Sequence, residues 1–319
     1  MSVTRRIKTA NIMQRWMGQG NVVKPSYNVS DRLAGVLDIT RPVLSGMGAL
    51  GVAAGAALAY GGFPAWNKCL VGFIAALLAF AGIHAFNDFV DQRRDVVCWP
   101  GRPIPSQRLA ARQALLLAIA SFTAALIIVW FAFNPVCFGV SIVACGLGCL
   151  YSGYLRDRVG YLVLPPIEGM LWLCGWTAFS PDTLFTSWAP WSLWLFSATW
   201  QAGHIMVYSP LHPIQHVKGE KLTQVPAFIK RTSPQAATII GFIFLCLAAI
   251  IGIYLVFVFH LGILYLLPTA IMAIIALTIS ASFMRDPENF EKGIRAFSNA
   301  TYFMLVARIF ILLSVFLFF

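Results

Sequence analysis

Carboxylates are rare in this sequence: only 12 of its 319 residues are Asp or Glu, and charged residues of both signs make up 11%. Soluble domains carry about 25% charged residues, and 59% of this chain is hydrophobic. That combination excludes a water-exposed globular surface and points to a membrane protein. The apolar runs lack the polar/apolar alternation of barrel strands, which leaves helices as the spanning elements. The seven cysteines show neither metal-ligand spacing nor a disulfide framework, since six lie in or beside apolar runs and Cys98 sits in a connection. The first forty residues lack the short apolar core and small-residue cleavage site of a secretory signal. Low-complexity segments and strong tandem repeats are also missing.

What is present is a series of long apolar runs. Windows of about 20 residues, set against a hydrocarbon core of roughly 30 Å, predict about nine spans, at 43–61, 68–88, 112–133, 135–151, 161–180, 189–209, 236–258, 262–283 and 299–319. The expected fold is therefore an all-α polytopic bundle. Residues 1–35 read as a basic tail, with Ile12, Met13, Trp16 and Met17 available to touch headgroups, and 36–319 as a single transmembrane domain. The net charge of +11 is unevenly distributed. Basic residues cluster in the tail and in the connections after spans two, four, six and eight, whereas the alternate connections hold only Lys68. This alternation places the N-terminus and the even connections in the cytoplasm. The charge thus reports topology and attraction to anionic membrane lipids, with no nucleic-acid partner.

One short stretch breaks the apolar pattern. Asn87-Asp88-Phe89-Val90-Asp91-Gln92-Arg93-Arg94-Asp95 places three of the twelve acidic residues at the end of span two. Positions 87, 91 and 95 are four apart and share one face of a helix. Hard oxygen donors in that row suit Mg²⁺, which keeps waters and is usually shared with substrate phosphates. Asp88, beside the row, suits a second ion or an outer partner. Gly101-Arg102-Pro103-Ile104-Pro105-Ser106 follows, and its guanidinium suits the remaining oxygens of a diphosphate. Arg108 and Arg112 serve equally well as topology-setting charges.

These two pieces together resemble the signature of the UbiA superfamily of intramembrane prenyltransferases, N-D-x-x-D-x-x-x-D followed by R-P-I-P. Arg41-Pro42 is similar to that family's R-P before its first helix, and Tyr151-Ser152 to the Y-S ending its fourth. The resemblance implies a UbiA-like bundle around a central cavity. It also implies Mg²⁺ on Asn87, Asp88, Asp91 and Asp95, a prenyl diphosphate as substrate, and Arg102 and Arg156 as diphosphate clamps near Tyr151.

The family's second acidic stretch departs here. Trp200, Tyr208 and Val217-Lys218 keep the framework, but the aspartate positions read His212 and His216, as H-x-x-x-H. Neutral imidazole is a poor Mg²⁺ ligand and a good one for softer metals. Three readings stand: protonated histidines that bind diphosphate, a softer-metal site interrupted by Pro213, or ordinary interfacial histidines. Glu220 supplies a carboxylate nearby and Lys218 a cation for diphosphate.

Within the spans, Glu168 is an intramembrane carboxylate suited to orienting an acceptor, taking a proton or steadying a cation, or else to holding a neighbouring helix. Trp172, Trp176, Trp200 and Tyr208 are expected cavity walls whose aromatic faces favour an allylic cation. His204 faces either the cavity or a helix. The small-residue runs around Gly46, Gly48 and Gly51 permit close helix packing. The expected activity is Mg²⁺-dependent ionisation of a prenyl diphosphate, with transfer to an aromatic or lipophilic acceptor. In that reading Asp91, Asp95, Glu168 and Tyr208 are catalytic. A cyclase that lets the prenyl chain attack itself is the alternative, and a non-catalytic membrane relative is a third.

Overall fold

The computed structural model describes residues 28–208 and 233–318. The basic tail and the segment carrying His212, His216, Lys218 and Glu220 lie outside the described residues. Every regular element among them is helical: α1 (Val29–Thr40), α2 (Pro42–Tyr60), α3 (Trp66–Cys98), α4 (Ala111–Ala132), α5 (Pro135–Leu150), α6 (Leu164–Phe179), α7 (Ala189–Tyr208), α8 (Pro234–Phe259), α9 (Gly262–Met284) and α10 (Phe290–Phe318). Each of the nine expected spans has a helix, α2 to α10. Seven stretches among the described residues are long and apolar enough to cross a membrane, with α1 and α2 counted as one. The 16-residue α6 and α7 are the two outside that set.

Local chemistry sets the helix ends. Asn28 caps α1 by accepting from the Asp31 amide at 2.9 Å, and Asp31 accepts from the Asn28 amide in return. α1 stops at Arg41, whose backbone is left-handed (φ 45°), and Pro42 opens α2. α3 runs through the whole polar motif, ten residues past the expected end of span two. Its 33 residues make a rod about 50 Å long, longer than the apolar slab. Asn134 caps α5 and also donates to the Thr177 carbonyl at 2.8 Å, tying the start of α5 to the end of α6. At its other end α5 passes into a single π turn, Tyr151–Leu155, a distortion frequent at functional sites.

α2 and α6 stand at the centre. α2 packs on α3, α6 and α10, while α6 packs on α2, α5 and α7. The approach of α2 to α6 needs glycine: a Cβ on Gly175 would lie 1.9 Å from the Val52 carbonyl oxygen, and one on Gly55 2.6 Å from that of Trp172. On one side α3, α4 and α5 complete a group that encloses a cavity. On the other, α7 to α10 fill their interior with side chains such as Phe196, Leu245, Phe283 and Phe303.

Candidate active site

The polar motif builds one wall of a cavity of about 430 Å³. Asn87, Asp91 and Asp95 all line it, from successive turns of α3. Asp88 does not. It is 1% exposed and pairs with Arg41 and, at 3.2 Å, with Arg102. Arg102 also donates to Asp95 at 2.7 Å. Asp91 receives both guanidinium nitrogens of Arg156, Nη1 at 2.5 Å, and lies 3.4 Å from Arg94. Asn87 donates through Nδ2 to Ser152 Oγ at 3.3 Å, leaving its amide oxygen as the remaining ligand atom.

All seven charged groups of this cluster are buried: Arg41, Arg94, Arg102 and Arg156 against Asp88, Asp91 and Asp95. Among the described residues, four guanidiniums stand with three carboxylates in a poorly solvated mouth, a setting that favours an anionic ligand. The side-chain Nε atoms of Arg41 and Arg102 are buried and have no hydrogen-bond acceptor among the described residues. Burial by itself lowers the pKa of Arg102, but Asp95, Asp88 and Asp91 push it above its ordinary value, so the guanidinium stays charged.

Each residue reaches the mouth by a separate device. The i, i+4 spacing aligns the α3 row. The π turn after α5 brings Tyr151, Ser152 and Arg156 to the mouth, with the Arg156 guanidinium 5.9 Å from the Tyr151 ring centroid. The turn after α3 folds Arg102 back onto it. Arg41 arrives from the left-handed corner between α1 and α2, a backbone state costing about 1–3 kcal/mol in a residue other than glycine. Its ion pair with Asp88 spans 47 positions. Arg108 is not part of the mouth; it pairs with Asp38 of α1 and donates to the Gly101 carbonyl at 2.9 Å, clamping the turn in place.

Below the mouth the lining is mostly apolar and, among the described residues, comes from α2 to α6 with Gln201, Tyr208 and Leu312 from the other helices. Glu168 lines the cavity while accepting from Arg308 Nη2 at 2.6 Å. Arg308 also donates to the Met47 carbonyl at 2.7 Å. Tyr208 lines the cavity with its ring 5.3 Å from that of Phe297.

The expected tryptophan walls are corrected. Trp172, Trp176 and Trp200 belong to the packed core and do not line the cavity. Trp176 donates to Thr183 Oγ1 at 2.8 Å and Trp200 to the Ala300 carbonyl at 2.7 Å. His204 stacks between Trp200 and Phe297, at 4.8 and 4.3 Å, and its Nε2 lies 2.9 Å from Thr301 Oγ1. It faces a helix. His212, His216 and Lys218 lie outside the described residues.

The sequence reading missed Arg41 and Arg94 as members of the mouth, together with Gln201 and His84 as lining residues. The i+3 spacing of Arg94 from Asp91 was the available signal for one of them.

Among the described residues, no three His, Cys, Asp or Glu side chains converge as a complete metal site. The donor set still fits a cation completed by its substrate: Mg²⁺ takes one or two carboxylates plus phosphate oxygens and waters. Asn87, Asp91 and Asp95 offer hard oxygens on one cavity wall, and Arg41 and Arg102 line the same cavity.

Comparison with known proteins agrees with this geometry. A model described as the UbiA prenyltransferase family matches residues 49–312. The chain is 25% identical over 165 residues to the protoheme IX farnesyltransferase of Nitrosococcus oceani, covering 47% of this chain and 55% of that relative. It is 32% identical over 114 residues to the digeranylgeranylglyceryl phosphate synthase of Methanothrix thermoacetophila, covering 35% and 42%. The chain thus spans about half the length of the curated relatives it matches. A solved UbiA homologue from Archaeoglobus fulgidus, bound to GPP and Mg²⁺, superposes with a TM-score of 0.55 at 15% identity, over 87% of this chain and 99% of that one.

Proposed function

The chain belongs to the UbiA prenyltransferase family, and from that premise we propose that this integral membrane protein ionises a prenyl diphosphate and transfers the prenyl group to a lipophilic acceptor. The observation that carries the reading is the mouth itself: an aligned Asn/Asp row and four buried arginines opening onto an apolar cavity. A charged head and an apolar tail need that division.

Asn87, Asp91 and Asp95 are the residues that would hold Mg²⁺, with Asp88 fixing Arg41 and Arg102 behind them. When bound, the ion supplies charge neutralisation of the diphosphate leaving group. Arg41, Arg102 and Arg156 supply the rest through charge-assisted hydrogen bonds that strengthen as the C–O bond breaks and charge moves onto the diphosphate. The apolar lining excludes water from the allylic cation. Glu168 and Tyr208 present polar atoms to that cavity and are assigned to acceptor orientation and proton removal. The relatives' names include a haem farnesyltransferase and a glyceryl phosphate synthase, so the family alone does not fix the acceptor. The clustering of basic residues in alternate connections supports a mouth facing the cytoplasm.

The test is diphosphate release from geranylgeranyl diphosphate by the full chain in lipid nanodiscs, measured with and without lipophilic phenols or alcohols supplied as acceptors. Release is expected with Mg²⁺ and not with EDTA, and Asp91→Asn is expected to lower it by about 10³-fold. Release by Asp91→Asn equal to that of the unmodified chain would overturn the reading, and a cyclic hydrocarbon formed without any acceptor would replace transfer with cyclisation.

A further inference from the structure

Resting on the reading just given, the depth of the cavity restricts the tail of the substrate. The lining follows one face of α3 without a break from Asp95 through Asn87, His84 and Ala79 to Cys69 and Lys68. From Asn87 to Cys69 is 18 residues, about 27 Å along the helix axis. The cavity therefore runs nearly the thickness of the hydrocarbon slab.

Its far end is marked by aromatic rings and a charge. Phe133 at the end of α4 and Phe179 at the end of α6 meet edge to face at 6.0 Å, and both line the cavity. Lys68 Nζ lies 5.6 Å over the Phe133 ring and donates to the Ala132 carbonyl. An apolar tail gains nothing by passing an ammonium group, so the useful length ends there.

An extended chain of single bonds advances about 1.2 Å per bond, the figure implied by an extended polypeptide. Each isoprene unit adds four such bonds, about 4.8 Å. The apolar run beneath Asn87 thus accepts between five and six units fully extended. Two units reach only about 10 Å and leave most of the lining without contacts, whereas four reach about 19 Å and contact about two-thirds of it.

We infer that the preferred donor is a prenyl diphosphate of at least four isoprene units, of the geranylgeranyl class, bound extended along α3, and that eight units exceed the run. Because lipid tails are as apolar as the lining, the preference comes from packing and not from leaving water.

Ala79 is eight positions from Asn87, about 12 Å down the run, and is partly buried against the cavity. A phenylalanine there cuts the run after about two and a half units. The experiment measures kcat/KM for diphosphate release from geranyl, farnesyl, geranylgeranyl and octaprenyl diphosphates by the full chain in nanodiscs, with and without the same lipophilic acceptors. The unmodified protein is expected to favour geranylgeranyl over geranyl by about tenfold or more, a modest packing difference on the scale of binding energies, and over octaprenyl as well. Ala79→Phe is expected to invert the geranylgeranyl-to-geranyl ratio. Equal kcat/KM for all four donors, or an Ala79→Phe protein that keeps the original ratio, overturns the inference. If Ala79→Phe does not fold, the donor series on the unmodified protein decides alone. Absence of turnover with every donor would instead count against the proposed function.

Discussion

The two groups of helices share α2 and α6 but use apolar surface in opposite ways. α3, α4 and α5 stand back from that central pair and leave a lined space, whereas α7 to α10 close against it with rings and small residues. In the packed group Phe196 sits 6.5 Å from Trp172 and 6.1 Å from Phe303, edge to face in both cases. In the cavity group, α3 presents the small Gly72, Ala75, Ala76 and Ala79 to the space, interleaved with Phe73, Phe80 and Ile83. Apolar content is similar on both sides, so hydrophobicity does not decide which becomes a binding site. Side-chain volume at the facing positions does.

The contrast gives a rule for variants: changes at the cavity's mouth should act on turnover, and changes in the packed group on stability. The largest effect belongs to Asp91→Asn, which keeps the shape and removes a charge that both positions Arg156 and serves as a ligand atom. Turnover per folded protein should fall by about 10³-fold, or about 4 kcal/mol; because Asp91 also pairs with the buried Arg156, some stability is lost with it. Unchanged turnover per folded protein would break the rule. Next comes Arg308→Met, because Arg308 belongs to the packed group yet holds Glu168 at the cavity wall. Leaving that carboxylate unpaired should cost about 3 kcal/mol of stability, read by thermal unfolding in detergent. Restoring stability with Glu168→Gln in the same chain would sharpen the comparison, since it identifies the unpaired charge as the cause.

How much of this was legible in the sequence follows the same division. The α3 row could be read because carboxylates are rare and its spacing of four has only one helical meaning. The bundle could be read from run lengths alone. Arg41 was harder to place: its route to Asp88 depends on a left-handed corner that local sequence marks only by the following proline. The tryptophans failed for a physical reason. α6 and α7 are apolar around their circumference, so no periodicity separates a cavity face from a core face. Rings suited to a cation were therefore assigned to the cavity although the neighbouring helices α2 and α8 to α10 fill the space around them. For His204 the sequence left cavity and helix both open, since the partner that decides between them, Thr301, is 97 positions distant.

Gly175→Ala probes the boundary between the groups. A methyl there meets the α2 backbone at Val52 and Ala56, which cannot yield as a side-chain tip can. Overpacking of that kind should destabilise by about 2 kcal/mol. Because α6 also forms cavity wall, a change in the preferred donor length would show that the boundary sets cavity width as well as stability.

The smallest effect separates the two groups most cleanly. Trp200→Phe removes the hydrogen bond to the Ala300 carbonyl and leaves a ring in the core. The loss should be about 1 kcal/mol, the usual net worth of one such bond, and should appear in thermal unfolding. Neither KM for the prenyl diphosphate nor kcat should change by more than about twofold, under 0.5 kcal/mol. A cation-stabilising wall would behave otherwise, because the indole is the strongest of the aromatic faces toward a cation, and its loss would lower kcat while the melting point hardly moved. The ratio of these two responses in one variant therefore tests whether the packed group takes any part in the chemistry or only supports the helices that do.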